Sequence, residues 1–413
     1  MTAQHGAQLR LGRALRSFLP LMLLLTHSAG PAQSHDPSAW GGLFRSRDYG
    51  ATWMSANRGQ LLSGAIALTI SPTDSNHLLL GAESGLFRTR NGGRDWTVEA
   101  PSLLLGSVFA LAFAADGKRA LVSTGLGIFR GDAENRWREA PAPQGAAPAR
   151  AIVRGSEAGR VYLAGWTGLY RSDDWGASWS NAADGLPQEP ATALVVVQGI
   201  PDTLYAIVQG GLWASFDSAR SWARRGTEVS PAGVDAIAAD LRHPARLWAA
   251  GGDRLFLSND GGASWQRVGR PLPEPNTIVN GITASEEAIV VTTDRGLYRS
   301  VDGGESWGLI TDNLPPHLEA GPLLRDPVDP ASLYAGFALI PYPELWQRAA
   351  RHEGALVHVG VTSLLGGMGF LLLVALGAVT ALRRLERYYG PSAKSTLPTR
   401  CVRERQIEEE TLP

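Results

Sequence analysis

Short apolar runs and small polar turns alternate along this chain with a fixed beat. A typical period opens on an apolar run such as Ala65-Ile66-Ala67-Leu68. A turn follows, Ser71-Pro72-Thr73-Asp74, and then a second run, Leu78-Leu79-Leu80-Gly81. The third run reads Gly-Leu-aromatic, as at Gly296-Leu297-Tyr298-Arg299, and leads into an octet, Ser-x-Asp-x-Gly-x-x-Trp. Runs this short, rich in β-branched and aromatic residues and bounded by Gly, Pro, Asp and Ser, predict β-strands rather than helices. The octets start at Ser46, Thr89, Ser172, Ser215, Ser258 and Ser300. A worn copy begins at Gly131 and keeps only its Trp137 anchor, so the seven starts step by 43, 42, 41, 43, 43 and 42 residues. Four strands per period of 41–43 residues predict a β-propeller.

The number of blades follows from where the beat starts and stops. It begins in mid-unit: Gly42-Leu43-Phe44-Arg45 and the first octet supply a third and a fourth strand. Six complete units then run near 61–98, 105–139, 149–180, 190–223, 233–267 and 278–308. After the last octet, Pro322 to Phe337 offers one more first and second strand around the turn Asp326-Pro327-Val328-Asp329-Pro330. These orphans complete one blade. The expected fold is all-β: a seven-bladed propeller of four-stranded blades over 40–340, closed by pairing of N- and C-terminal strands, which removes exposed sheet edges.

The octet itself is turn chemistry. Its Asp accepts backbone N–H groups a few residues on, its Gly supplies a positive φ, and its Trp opens the return strand and packs on the turn. Asn91 replaces the Asp at 89–96, and Ala219 replaces the Gly at 215–222. One carboxylate per turn is too few for a calcium shell of 6–8 oxygens. The arginine of the third run recurs at Arg45, Arg88, Arg130, Arg171 and Arg299. Recurrence at one strand position points to a structural role, facing out or pairing locally.

Both ends depart from the beat. Residues 1–32 read as an export signal, with Arg10, Arg13 and Arg16 before the apolar run Phe18–Thr26 and small residues to Ala32. Residues 341–354 read as a short helix or stalk. From Ala355 to Leu382 no charged side chain occurs, which is long enough for a transmembrane helix. Arg383, Arg384 and Arg387 follow at once, so the tail, 383–413, is expected in the cytoplasm and the propeller outside. Small residues in that span, Ser363 and Gly367 among them, would permit a homodimer. Composition narrows the rest. A net charge of −1 argues against a nucleic-acid partner, and the single cysteine, Cys401, excludes an internal disulfide and a cysteine metal site. No cofactor or metal is expected.

The octet resembles the Asp-box (BNR) repeat of sialidases, sortilin-type receptors, family 74 xyloglucanases and Ycf48-type photosystem II assembly factors. The likeness covers about residues 40–345 and is intact at 46–53, 172–179, 258–265 and 300–307. In those families the box is a structural hairpin away from the ligand, which implies binding at the other end of the blades. The residues in the second-to-third turns there are Glu83, Trp166, Gln209, Asp253, Asp294 and Arg295. These are the candidate binding-face residues; no catalytic residue is assigned. The favoured reading is an exported, membrane-tethered platform that binds a protein partner without enzymatic activity. The alternatives are a glycoside hydrolase, sialidase-like or xyloglucanase-like, and a sortilin-type receptor, with a glycan as a second possible ligand. A sialidase would need an arginine triad and an Arg-Ile-Pro signature absent here. A family 74 enzyme would need a carboxylate pair among Glu83, Asp253 and Asp294, about 5–10 Å apart.

Overall fold

The computed structural model describes residues 41–351 except 58–61, 63, 228, 230–232, 241–242 and 316–317, together with 377, 379–380 and 383–384. The chain divides into two compact units, Met1–His352 and Glu353–Pro413. The first is a ring of seven four-stranded antiparallel sheets. Blades 1 to 6 are continuous in sequence: β3–β6 (65–99), β7–β10 (108–140), β11–β14 (151–181), β15–β18 (191–225), β19–β22 (236–268) and β23–β26 (279–310). Blade 7 is shared between the chain ends. Its inner strands are β27 (Glu319–Arg325) and β28 (Leu333–Ala338), and its outer strands are β1 (Gly42–Ser46) and β2 (Met54–Ser55). Strand β1 pairs with β28 from Gly42↔Phe337 to Ser46↔Leu333. Each innermost strand touches the next around the circle, β27 against β3 (Ala65–Ser71) included. The closure read from the orphan strands is therefore the closure observed.

The octets hold the third and fourth strands together by one recurring set of bonds. At 172–179, Ser172 Oγ donates to Asp174 Oδ1 (2.7 Å) and accepts the Gly176 N–H (2.8 Å). Asp174 in turn accepts the N–H groups of Ala177 and Ser178 and the Ser178 hydroxyl. In the octet 89–96 the Asn91 amide oxygen accepts the Arg94 and Asp95 N–H groups, so the exchange of Asp for Asn keeps the turn. The fourth and fifth positions are left-handed in every intact turn, as with Gly303 (φ 72°) and Gly304 (φ 91°). Ser218 (φ 62°) and Ala219 (φ 63°) adopt that conformation without glycine, which strains an L-residue.

The structure corrects three details. First, the octet tryptophans reach beyond their own turn. Trp96, Trp179, Trp222 and Trp307 donate their indole N–H to Ala56, Pro141, Ala182 and Arg270 carbonyls of the preceding repeat; Trp53 and Trp265 bond within the turn. Second, most of the recurring arginines bridge blades, and local pairing is seen as well, at Arg171 with Asp173 (2.9 Å). Arg45, Arg130, Arg171 and Arg299 donate to the carbonyls of Gly92, Trp175, Ser218 and Tyr49, each the fourth residue of the next octet. The last of these, Arg299 to Tyr49, crosses the ring closure. Third, the worn copy keeps more than its Trp. Asp132, one position early, accepts the N–H groups of Glu134 and Arg136 and caps a shorter turn. With no regular octet ahead of it, Arg88 turns instead to Glu99 (2.9 Å) and His77 (2.5 Å). Glu99 also accepts the Trp137 indole N–H (2.7 Å). Arg88 and Glu99 are 3% and 8% exposed, so a buried ion pair inside blade 1 presents the carboxylate that holds Trp137 of blade 2.

The segment expected as a short helix or stalk is helix α1 (Tyr342–Ala350), and it lies on the propeller. In the second unit, Gly377, Val379, Thr380, Arg383 and Arg384 are helical. Among the described residues no helix is long and apolar enough to cross a membrane. The expected leader at 1–32, and nearly all of the expected span 355–382 and tail 383–413, lie outside the described residues.

Candidate functional site

The end of the ring opposite the octets is built by different rules. Antiparallel order places the second-to-third turns there, one in each of blades 1 to 6, and Glu83, Trp166, Gln209, Asp253, Asp294 and Arg295 all lie in them. They are spread around the rim rather than gathered at one point. Each turn is tied to a loop leading into a blade: Trp166 N–H donates to Gly145 O (2.7 Å), and Ile278 N–H to Asp294 Oδ1 (2.9 Å). The carbonyls of Gly210 and Asp253 accept Val234 and Leu272 N–H groups. Arg295 pairs with Glu274 at 2.6 Å. Gln209 is exposed and left-handed (φ 52°). Glu83 packs its carboxylate against Gly64, and burial pushes its pKa up.

Sequence reasoning missed a second ring just inside the first. The innermost strands bulge where they enter the blade, with register shifts between Ala65 and Ala67, Val108 and Ala110, Ala191 and Ala193, and Val279 and Gly281. A bulge re-aims the extra side chain. The residues so placed are Ile66, Phe109, Thr192 and Asn280. Arg150 and Asp235 hold the same place in blades 3 and 5, one residue before the first paired positions Ala151 and Ala236. Residues at one structural position therefore run from apolar to cationic to acidic around the channel mouth. The rule that variation at equivalent positions marks a binding face would have found them if applied to the first strands as well as the turns.

Helix α1 divides this inner ring. Its face Tyr342, Leu345, Trp346, Ala349 follows helical spacing and packs on Ile66, Phe109 and Trp166. Trp346 is 3% exposed, donates its indole N–H to Pro148 O (2.9 Å) and lies 4.8 Å from Trp166, ring centre to ring centre. The Tyr342 hydroxyl donates to the carbonyls of Phe109 (3.2 Å) and Arg150 (3.3 Å). The Arg150 guanidinium sits over both rings, 5.0 Å from the centre of Tyr342 and 4.7 Å from that of Trp346. Its Nε has no hydrogen-bond partner, and burial pushes its pKa down and that of Tyr342 up to about 12. Ile66 and Phe109 are 4% and 2% exposed, while Thr192, Asp235 and Asn280 across the mouth are open to solvent.

The uncovered half is acidic. Partial withdrawal from water raises the pKa of Asp235, against the Gly252 N–H that it accepts (2.7 Å), and the Asp294 charge raises it further. Burial raises Glu319 in the same way, against a bond from Asn280 (3.0 Å) and again with Asp294. Asp294 thus acts on two carboxylates that were not among the candidates. No metal-binding cluster of His, Cys, Asp or Glu occurs among the described residues. Two open grooves flank Trp166. One, about 940 Å³, lies between blades 3 and 4 along Tyr170, Asn181, Asp184 and Glu189; the other, about 920 Å³, lies between blades 2 and 3 and ends on Ala350 of α1.

Known proteins add the architecture to this picture. No protein-family model and no curated protein matches the chain. Among solved structures it is similar to YCF48 from Cyanidioschyzon merolae, with 14% identity, a TM-score of 0.52, and coverage of 68% of this chain and 97% of that one. It is similar also to a structure described as YCF48 bound to D1 peptide, with 17% identity, a TM-score of 0.52, and coverage of 67% and 94%. A third is the GH74 xyloglucanase from Xanthomonas campestris, with 20% identity, a TM-score of 0.53, and coverage of 65% and 50%. At these identities the likeness is one of fold: the chain is a seven-bladed propeller of the kind these proteins share.

Proposed function

We propose that this chain is an exported, membrane-tethered propeller whose octet-distal face docks a protein partner and which catalyses no reaction. The observation that carries this reading is the contrast between the two ends of the ring. Four intact octets and two with a single exchange repeat one bonding scheme at one end. At the other, turn and bulge residues differ from blade to blade, and the grooves converge on Trp166. Sameness serves the scaffold; variation is what a specific partner reads. A propeller of similar fold has been solved with a D1 peptide, which supports a protein or peptide partner for such a fold. Tethering rests on the leader at 1–32, the uncharged stretch 355–382 and the arginines that follow it. A single span would raise the local concentration near membrane complexes.

Two experiments test it. Full-length tagged protein, recovered in mild detergent, should bring down one membrane protein in stoichiometric amount. A variant carrying Trp166→Ala, Asp294→Ala and Arg295→Ala should lose it; a clean preparation from wild type counts against docking. For topology, a membrane-impermeant maleimide applied to intact cells should leave Cys401 unlabelled, and labelling would reverse the orientation.

A second reading, a glycoside hydrolase, is favoured by the carboxylates Asp235, Asp294 and Glu319 on the uncovered half, where the Asp294 charge acts on the other two, since a carboxylate pair performs that chemistry. A panel of glycoside substrates, tested on wild type and on Asp235→Asn, Asp294→Asn and Glu319→Gln, decides it. Turnover that one amide abolishes, with the fold intact, would establish the enzyme.

A further inference from the structure

The surface beneath α1 has the composition of a binding site, and the chain's own helix fills it. Ile66 and Phe109 give an apolar floor, Trp166 a stacking wall, and the Phe109 and Pro148 carbonyls two acceptors that α1 satisfies with side-chain donors. Arg150 is the odd member. It is a cation stacked on two rings with no ion pair among the described residues, an arrangement that stabilises the closed state through cation–π contact but leaves Nε unsatisfied. The helix that closes the site is nine residues long and has no side-chain N-cap. Alone it would be marginal. The ring needs nothing from it, because all seven blades are complete without it.

We propose that this surface is the partner-reading site and that α1 is its built-in competitor. The partner presents a segment with an aromatic side chain bearing an N–H or O–H donor, which replaces Trp346 over Arg150 and against Trp166. This rests on the docking reading above and names its site and ligand chemistry. Lifting α1 frees the wall that the two grooves share, so that one continuous surface crosses Trp166. Affinity for anything that binds there is reduced by the fraction of molecules in which α1 is down.

The test uses full-length protein in detergent and a fluorescein-labelled peptide with the sequence of residues 340–352 as the probe. A Cβ placed on Gly125 lies 3.3 Å from Ala349 Cβ, within about 0.2 Å of disulfide range. A Gly125→Cys/Ala349→Cys pair in a Cys401→Ser background therefore locks α1 down when oxidised. Trp346→Ala releases it. By fluorescence anisotropy the Trp346→Ala protein should bind the probe at least about tenfold more tightly than wild type. The oxidised lock should bind none, and reduction should restore the wild-type value. Equal binding by all forms, or by none, overturns the proposal. If Trp346→Ala does not fold, the oxidised and reduced lock decide alone. In the partner recovery described above, equal capture by the locked and reduced forms overturns the competition. A probe that switches while no partner is ever captured leaves the competitor in place and removes the docking reading.

Discussion

The two ends of this ring solve the same problem, joining seven blades, in opposite ways. At the octet end the joints follow one pattern: a hydroxyl and a carboxylate close five of the turns, and at four junctions an arginine from one blade caps the next. At the distal end each joint is bespoke, tied by different groups from blade to blade. The lesson comes from the worn blade. Where the octet lost its register at 131–137, the arginine does not reach its usual carbonyl; Arg88 pairs instead with Glu99 of its own blade, and that carboxylate takes the Trp137 indole of the next. Redundancy elsewhere made that improvisation tolerable, and it made one junction depend on a single carboxylate.

The largest effect should therefore come at that junction. Glu99→Ala leaves Arg88 buried and unpaired and the Trp137 indole without its acceptor; it should cost about 3–5 kcal/mol in urea unfolding. A loss under 1 kcal/mol would mean that His77 suffices as a partner. Next, Ser172→Ala removes the acceptor of the buried Gly176 N–H and should cost about 1–3 kcal/mol. Its distal counterpart, Gln209→Ala, should stay within about 0.5 kcal/mol. Equal effects would dissolve the contrast between the ends. Ala219→Gly relieves a left-handed alanine and should stabilise by about 0.5–1 kcal/mol after the entropy that glycine adds to the unfolded chain.

The finest test is pH. At the octet end, hydrogen bonds from Ser264 and Ser306 hold Asp260 and Asp302 at about 2, and Asp174 and Asp217 reach about 2 because hydrogen bonds outweigh their burial. Lowered carboxylates contribute stability that is full above the unfolded value near 3.8 and is lost as pH falls towards 2. Glu83, Asp235 and Glu319 are raised, so they oppose folding while ionised, and that penalty disappears as pH falls through their folded values. Melting temperatures should show Glu83→Gln/Asp235→Asn/Glu319→Gln above wild type at pH 7, with the gap closing in acid. A constant gap would place the effect in packing rather than charge.

The ring was legible in the sequence because its determinants are local and periodic: an octet every 41–43 residues, and orphan strands at each end. What stayed hidden depends on neighbours a blade away. The Arg45–Gly92 bond joins residues 47 apart, and nothing within one repeat reveals it. Asp132 was masked by a one-residue slip. Asp235 and Glu319 escaped because they sit at the openings of first strands rather than in the turns, where chemistry was sought. The docking of α1 was illegible for the same reason: Tyr342 meets Phe109 and Arg150 only after the ring has closed.

That closure also sets a clock. Gly42 finds its partner in Phe337, almost 300 residues later. At about 5–20 residues per second of synthesis, the first hairpin waits some 15–60 s for the strand that completes its sheet. Blades 1 to 6 fold from consecutive segments during that interval, while β1 offers an unpaired edge to whatever passes. Weakening β27 or β28 should accordingly be felt first in yield and aggregation during production, before it registers in the equilibrium stability of molecules that have already closed.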